Sequence, residues 1–276
     1  MKKPIGVFDS GVGGLTVARE IMRQLPHENI VYFGDTARVP YGSKSPNTVL
    51  RFSRQIVNFL RTKDVKAIVV ACNTASALAL PTIQEEIDIP IIGVIEAGAK
   101  TACEVTRTKH IGVIGTEGTI KSRVYTQCLT KLDSDITVVG KSCPLFVPLV
   151  EEGLVEDRVT DDIASRYLGE LKDYNIDTLI LGCTHYPLIR NTIARIMGDQ
   201  VKLVNPAYET TKSLKELLAR KGLLMKEEKK EPVYEYYVSD AVERFISFAD
   251  GVLPCNVSEE NVNSIDIESY ELGKDN

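Results

Sequence analysis

An α/β fold built on parallel sheets in two similar halves is predicted by three features of this 276-residue sequence. They are short continuous apolar runs, segments of helical period between them, and an internal repeat. Continuous rather than alternating apolar runs mark strands covered on both faces, and their alternation with helices marks parallel crossovers. At roughly 150 residues per domain, the length suits one large domain or two small ones with a real hydrophobic core.

Residues 5–8, 30–33, 67–72, 91–95, 111–115, 136–139, 178–182, 201–204 and 234–238 read as strands. The intervening segments carry helical spacing, as in Val49, Phe52, Ile56, Val57 and Leu60, which fall along one helix face. The uncharged stretch 67–84 approaches membrane-spanning length. Its Asn73, Thr74, Ser76, Pro81 and Thr82 would leave polar groups unpaired in lipid, so it reads as a buried strand running into a helix. Residues 222–233, charge-rich and ending near Pro232, read as a surface connection. Residues 254–276 combine weak apolar periodicity with six acids against one base, and the end of the chain is expected to be mobile.

The repeat pairs Ile5-Gly6-Val7-Phe8-Asp9-Ser10-Gly11 with Ile111-Gly112-Val113-Ile114-Gly115-Thr116-Glu117 at an offset of 106. It also pairs Ile68-Val69-Val70-Ala71-Cys72-Asn73-Thr74 with Leu179-Ile180-Leu181-Gly182-Cys183-Thr184-His185 at an offset of 111. Two pairs at nearly one offset indicate two similar halves, each later ending a strand in Cys. Ligands of open α/β sheets bind at the carboxyl ends of strands. Facing halves would then bring two cysteines to one cleft.

Charge narrows the partners. The 33 Lys and Arg against 38 Asp and Glu give −5, and outside residues 254–276 each class numbers 32. A neutral body lacks the clustered cations that nucleic acid or an anionic membrane would require, so a small-molecule partner is expected. The apolar run 5–8 stops at Asp9, too short for a signal peptide. Six cysteines without a secretory signal suggest reduced thiols in the cytoplasm.

Two constellations could carry chemistry. Asp9-Ser10-Gly11-Val12-Gly13-Gly14 follows a strand and precedes a helix, but matches neither the dinucleotide fingerprint nor the phosphate loop. It is either a tight turn with a helix cap or a loop whose backbone N–H groups receive a substrate carboxylate. Cys72-Asn73-Thr74 and Cys183-Thr184-His185 place a thiol where a strand gives way to a helix, whose positive end favours thiolate. Cys103, Cys128, Cys143 and Cys255 read as small buried hydrophobes. His185 could exchange a proton with Cys183, and Asp9 could do the same opposite Cys72. Zinc on Cys72, Cys183 and His185 has weak spacing, with no Cys-x-x-Cys, and no metal is expected. A cysteine hydrolase with His185 as base would leave the second Cys unexplained. Glu151 reads locally as an exposed acid before a turn, and Pro40-Tyr41-Gly42 as an ordinary turn.

Taken together, Asp9–Gly14, Pro40-Tyr41-Gly42, Ala71-Cys72-Asn73-Thr74-Ala75, Val150-Glu151-Glu152-Gly153 and Gly182-Cys183-Thr184-His185-Tyr186-Pro187 resemble the glutamate racemases of the aspartate/glutamate racemase superfamily, through about residue 250. The resemblance implies a cofactor-independent enzyme interconverting L- and D-glutamate for peptidoglycan synthesis. It also implies two pseudosymmetric α/β domains, 1–96 plus 207–276 and 97–206, with the active site between them. Cys72 and Cys183 would be the acid/base pair, assisted by Asp9, Glu151 and His185. Ser10, Tyr41, Gly42, Asn73, Thr74, Thr184 and His185 would hold substrate, with Thr116 and Thr119 as further candidates. A homodimer is the expected assembly. Ala97 and Asn205-Pro206-Ala207 depart from the family pattern, and they bear on domain closure rather than on chemistry. The N-terminal extension that serves activation by a wall precursor in some relatives is not seen here, and such regulation is not expected. An aspartate racemase, a cysteine hydrolase or amidase, and an amino-acid-binding module are the rival readings.

Overall fold

The computed structural model describes residues 3–225 and 231–270. In chain order the first part contains β1 (Ile5–Asp9), α1 (Leu15–Gln24), β2 (Ile30–Gly34), α2 (Pro46–Thr62), β3 (Ala67–Val70), α3 (Asn73–Leu78), α4 (Leu80–Glu86) and β4 (Ile91–Gly93). There follow α5 (Val94–Val105), β5 (His110–Gly115), α6 (Glu117–Ser122), α7 (Val124–Leu132), β6 (Thr137–Ser142), α8 (Phe146–Glu151), α9 (Arg158–Gly169), β7 (Thr178–Gly182), α10 (Arg190–Met197) and β8 (Lys202–Val204). The chain ends in α11 (Pro206–Arg220), β9 (Tyr234–Val238), α12 (Val242–Val252) and β10 (Val262–Ser264).

Among the described residues all strand pairings are parallel, in a six-stranded sheet ordered β10-β9-β2-β1-β3-β4 and a four-stranded sheet ordered β6-β5-β7-β8. The run β2-β1-β3-β4 thus has the same order as β6-β5-β7-β8. Phe8 sits opposite Val70 in the first sheet and Ile114 opposite Leu181 in the second. The segments paired by the internal repeat are these equivalent central strands, so Cys72 and Cys183 follow corresponding carboxyl ends, those of β3 and β7. Fully buried β1, β3 and β7 feed cores on both faces. Ile5, Val7 and Val69 pack on one side of the first sheet and Phe8, Ile68 and Val70 on the other. In the second sheet Leu179 and Leu181 face one way and Ile180 the other. Side chains alternate across a strand, so each continuous apolar run supplies both layers.

Helices α5 and α11 pack together beside the crossings between the sheets. A Cβ on Gly98 would lie 3.0 Å from Pro206 Cγ. The Asn205-Pro206-Ala207 departure is a capped helix start, with Asn205 Oδ1 accepting from the Ala207 amide at 3.1 Å.

Three readings of the sequence are corrected. The run 91–95 stops as a strand at Gly93, where Val94 opens α5. A Cβ at Gly93 would lie 2.6 Å from Leu80 Cδ2, so the backbone passes tightly under α4 before turning. Cys103, Cys128 and Cys255 are only partly buried, leaving Cys143 as the one of those four inside the core.

The larger correction concerns the predicted mobile tail. Residues 254–270 are laid onto the six-stranded sheet: β10 extends it beside β9, and the Ile265 amide donates to the Val238 carbonyl at 2.9 Å. Val257, Val262 and Ile267 are buried, and the Tyr270 ring meets Phe59 edge-on at 5.3 Å. The acids face outward while a few well-spaced apolar side chains do the anchoring, a pattern that net charge conceals. Residues 271–276 of that tail, and 226–230 of the predicted connection, lie outside the described residues.

Candidate active site

The loop after β1 runs beneath the second half of the molecule. Asp9 Oδ2 accepts from the Gly11 amide at 3.1 Å, and the Tyr32 hydroxyl donates to the Gly11 carbonyl at 2.9 Å. Burial raises the Asp9 carboxyl above the ordinary range, against the charge of His185 and the amides of Gly14 and Gly11. Gly13 is required by proximity: its Cβ would lie 2.4 Å from the His185 ring and from Thr184 Oγ1. Thr16 Oγ1 donates to the Thr184 carbonyl at 2.9 Å, tying α1 to the loop after β7.

Cys72 caps α3. Its sulfur accepts from the Ala75 amide at 3.5 Å and donates to Ser10 Oγ at 3.5 Å. The helix start was expected to favour thiolate. Instead burial, reinforced by the negative charge of Asp9, pushes the thiol up to about 12, outweighing the Ser10 and Ala75 contacts. Cys72 is therefore a thiol at neutral pH, fitted to donate a proton.

Cys183 has a different environment. No α-helix begins directly after it; Thr184 and His185 lead into a tight turn at Tyr186–Ile189 before α10. Its partner is a side chain, with His185 Nδ1 3.8 Å from the sulfur and His185 Nε2 2.9 Å from Glu151 Oε1. Burial would push the imidazolium down, but the contacts with Cys183 and Glu151 prevail and raise it to about 10. Glu151 is lowered: burial opposes ionisation, and His185 and Arg244 more than offset it. The residue that read locally as an exposed acid keeps only 17% of its side chain exposed and holds the histidine.

Both cysteines line one cleft with a cavity of about 40 Å³, with Ser10, Tyr41, Gly42, Asn73, Thr74, Thr116, Glu151, Thr184 and His185 also in its wall. Gly11, Val39, Pro40 and Val147 complete the lining. Asp9 and Thr119 stand behind the wall. Thr119 closes a hydroxyl triangle across the halves, with Thr74 to Thr116 at 2.8 Å, Thr116 to Thr119 at 3.1 Å and Thr74 to Thr119 at 3.3 Å. Among the described residues, no group of three His, Cys, Asp or Glu side chains is arranged to hold a metal.

Several supporting residues carry no motif. Asp35, fully buried, accepts from the Tyr41 hydroxyl and from Arg38 Nε at 2.8 Å, fixing the turn that brings Tyr41 and Gly42 to the cavity. Its place just after β2, level with the end of β1, was the available signal. Tyr125 on α7 donates to Asn73 Oδ1 at 2.7 Å, linking the halves in a buried contact that sequence separation hides. Replacing Tyr125 by Phe is expected to lower unfolding stability by about 1–2 kcal/mol, because the Asn73 acceptor is left buried and unmet. Urea denaturation measures this, and an unchanged midpoint would show that the contact contributes nothing.

Two matched halves that each deliver a thiol to a shared cleft place the chain in a particular class, and the family comparison agrees. The model of the family described as Asp/Glu/Hydantoin racemase matches residues 5–214, and the chain belongs to that family. Within it, the sequence is 51% identical over 244 residues to a protein named glutamate racemase from Geobacter metallireducens, covering 88% of this chain and 90% of that one. The fold is similar to the crystal structure of glutamate racemase isoform RacE1 from Bacillus anthracis, with TM-score 0.91, 42% identity, and 96% and 97% of the two chains covered. It is also similar to glutamate racemase from Francisella tularensis in complex with D-glutamate, with TM-score 0.90, 41% identity, and 98% and 99% covered.

Proposed function

We propose that this protein is a cofactor-independent glutamate racemase in which Cys72 and Cys183 transfer protons on opposite faces of the α-carbon. The observation that carries this reading is the shared cavity: one thiol reaches it from each of two topologically matched halves. The α-proton of an amino acid is weakly acidic, and the adjacent carboxylate opposes further negative charge. The site must therefore stabilise a carbanion-like state electrostatically. Inversion needs removal on one face and delivery on the other.

From L-glutamate, a Cys183 thiolate takes the α-proton and the Cys72 thiol delivers its own to the opposite face, leaving D-glutamate and a Cys72 thiolate. His185 supplies the counter-charge that a buried Cys183 thiolate requires, and Glu151 orients the ring. Asp9, whose charge acts on Cys72, serves the other side. The amides of the glycine loop and the hydroxyls of Thr74, Thr116 and Thr184 suit the carboxylates of the substrate.

The same reading divides the chain into two domains, 1–96 plus 207–276 and 97–206. It also includes a homodimer, and a cytoplasmic location where free thiols persist and D-glutamate supplies peptidoglycan synthesis. Purified protein is expected to produce D-glutamate from L-glutamate after exhaustive chelation and without pyridoxal phosphate, monitored by chiral chromatography. Turnover of aspartate in preference to glutamate, net amide hydrolysis, or binding without turnover would each overturn the assignment. Strict dependence on metal or pyridoxal phosphate would overturn the cofactor-free part.

A further inference from the structure

Beyond the cavity wall, the Glu151–His185 pair is met from the opposite half by α12. This helix is anchored on the six-stranded sheet through buried Phe245, Ala249 and Val252. Two of its other side chains, one turn apart, reach across. Phe248 meets the His185 ring at 6.0 Å and 60°, and Arg244 Nη2 lies 3.3 Å from Glu151 Oε2 and 3.2 Å from Glu152 Oε1. Glu151 therefore has its two oxygens divided, one on His185 and one on Arg244. We propose that Arg244 is a positioning residue for racemisation, holding Glu151 so that His185 stays aligned on Cys183 when the halves are together.

Three physical points favour a role in alignment over one in stability. Arg244 is more than half exposed, and an exposed ion pair contributes little to folding. Glu151 is the last residue of α8, where a carboxylate meets the negative end of the helix, so a cation there has something to offset. A carboxylate with a single partner can also swing about its long side chain, whereas one held at both oxygens has little freedom. The charged and titratable groups around His185 are Cys183, Glu151 and Asp9, with Arg244 and Glu152 behind Glu151. Removing the Arg244 charge leaves Glu151 less compensated and strengthens its hold on the His185 proton.

The inference rests on the reading that Cys183 and His185 work one face of the substrate. The test uses the full chain as Arg244→Met and Arg244→Lys, assayed with L- and D-glutamate. Imidazole ¹⁵N spectra follow in parallel, tractable because the sequence has three histidines. In Arg244→Met, kcat is expected to fall about tenfold in both directions, with KM moving less than about threefold. The midpoint of the His185 resonances should move upward, and the thermal midpoint should stay in place. Arg244→Lys should recover most of the lost kcat, since it restores the charge. A kcat within twofold of the parent in Arg244→Met overturns the proposal, whatever the spectrum shows. So does a loss accompanied by a falling thermal midpoint and not recovered by Lys. Separately, a His185→Asn variant racemising at the parent rate would overturn the role given to His185, a failure distinct from that of Arg244.

Discussion

Serine in place of either Cys72 or Cys183 is expected to reduce racemisation by about a thousandfold or more, since inversion needs both proton transfers in series and serine is a far poorer base than thiolate. Partial reactions discriminate between the faces. In deuterated water, Cys183→Ser should exchange the α-proton of D-glutamate faster than that of L-glutamate, and Cys72→Ser should show the reverse. The surviving thiol does the exchanging in each case. The supporting groups follow the same division, with Asp9 beside Cys72 and His185 beside Cys183, although the ratio of kcat/KM in the two directions is fixed by equilibrium. Mass spectrometry of recovered glutamate gives the exchange rates. Equal exchange of both antipodes by both variants, or either variant racemising near the parent rate, would sink the two-thiol assignment.

Ending the chain after Leu253 is expected to be severely destabilising. The cut removes β10 from the edge of the six-stranded sheet together with the buried side chains of Val257, Val262 and Ile267 and the Tyr270 ring on Phe59. Each fully buried aliphatic side chain contributes about 1.5–3 kcal/mol, so the loss is on the order of 5 kcal/mol, comparable with the whole stability of many domains. It also bares Tyr237 and the unpaired edge of β9, inviting association. The thermal midpoint and the onset of aggregation report the effect. A truncated protein melting within about two degrees of the full chain would show that the tail does not hold the sheet.

The contrast between those two regions explains what the sequence made legible. Central strands such as residues 67–70 and 178–182 are covered on both faces, so their apolar runs are unbroken and their order within a repeat can be read directly. The edge strand at 262–264 has one inward residue, Val262, beside exposed Asn263 and Ser264, and local composition resembles a loop. In the site, the paired Cys motifs stood out because two strands end alike. The environment of each thiol did not. Whether a helix-start amide or burial governs Cys72 depends on how closely Asp9 and the second half enclose it, a property of packing rather than of spacing. Tyr125, Asp35 and Arg244 act on site residues through contacts that no periodicity announces.

The matched strand order of the two sheets has a consequence for successive turnovers on the two-thiol reading. Conversion of L-glutamate leaves the proton on Cys183 and the negative charge on Cys72, so the enzyme that releases D-glutamate is the form competent only for the reverse reaction. Before another L-glutamate can be processed, the protein itself must isomerise by returning both protons to their starting places through solvent. That recovery is uneven, because Cys183 faces an imidazolium while Cys72 faces the carboxyl of Asp9 in a buried setting. A nearly symmetric scaffold thereby houses two chemically unequal resting forms, and at high substrate concentration the interval between them becomes part of the catalytic cycle.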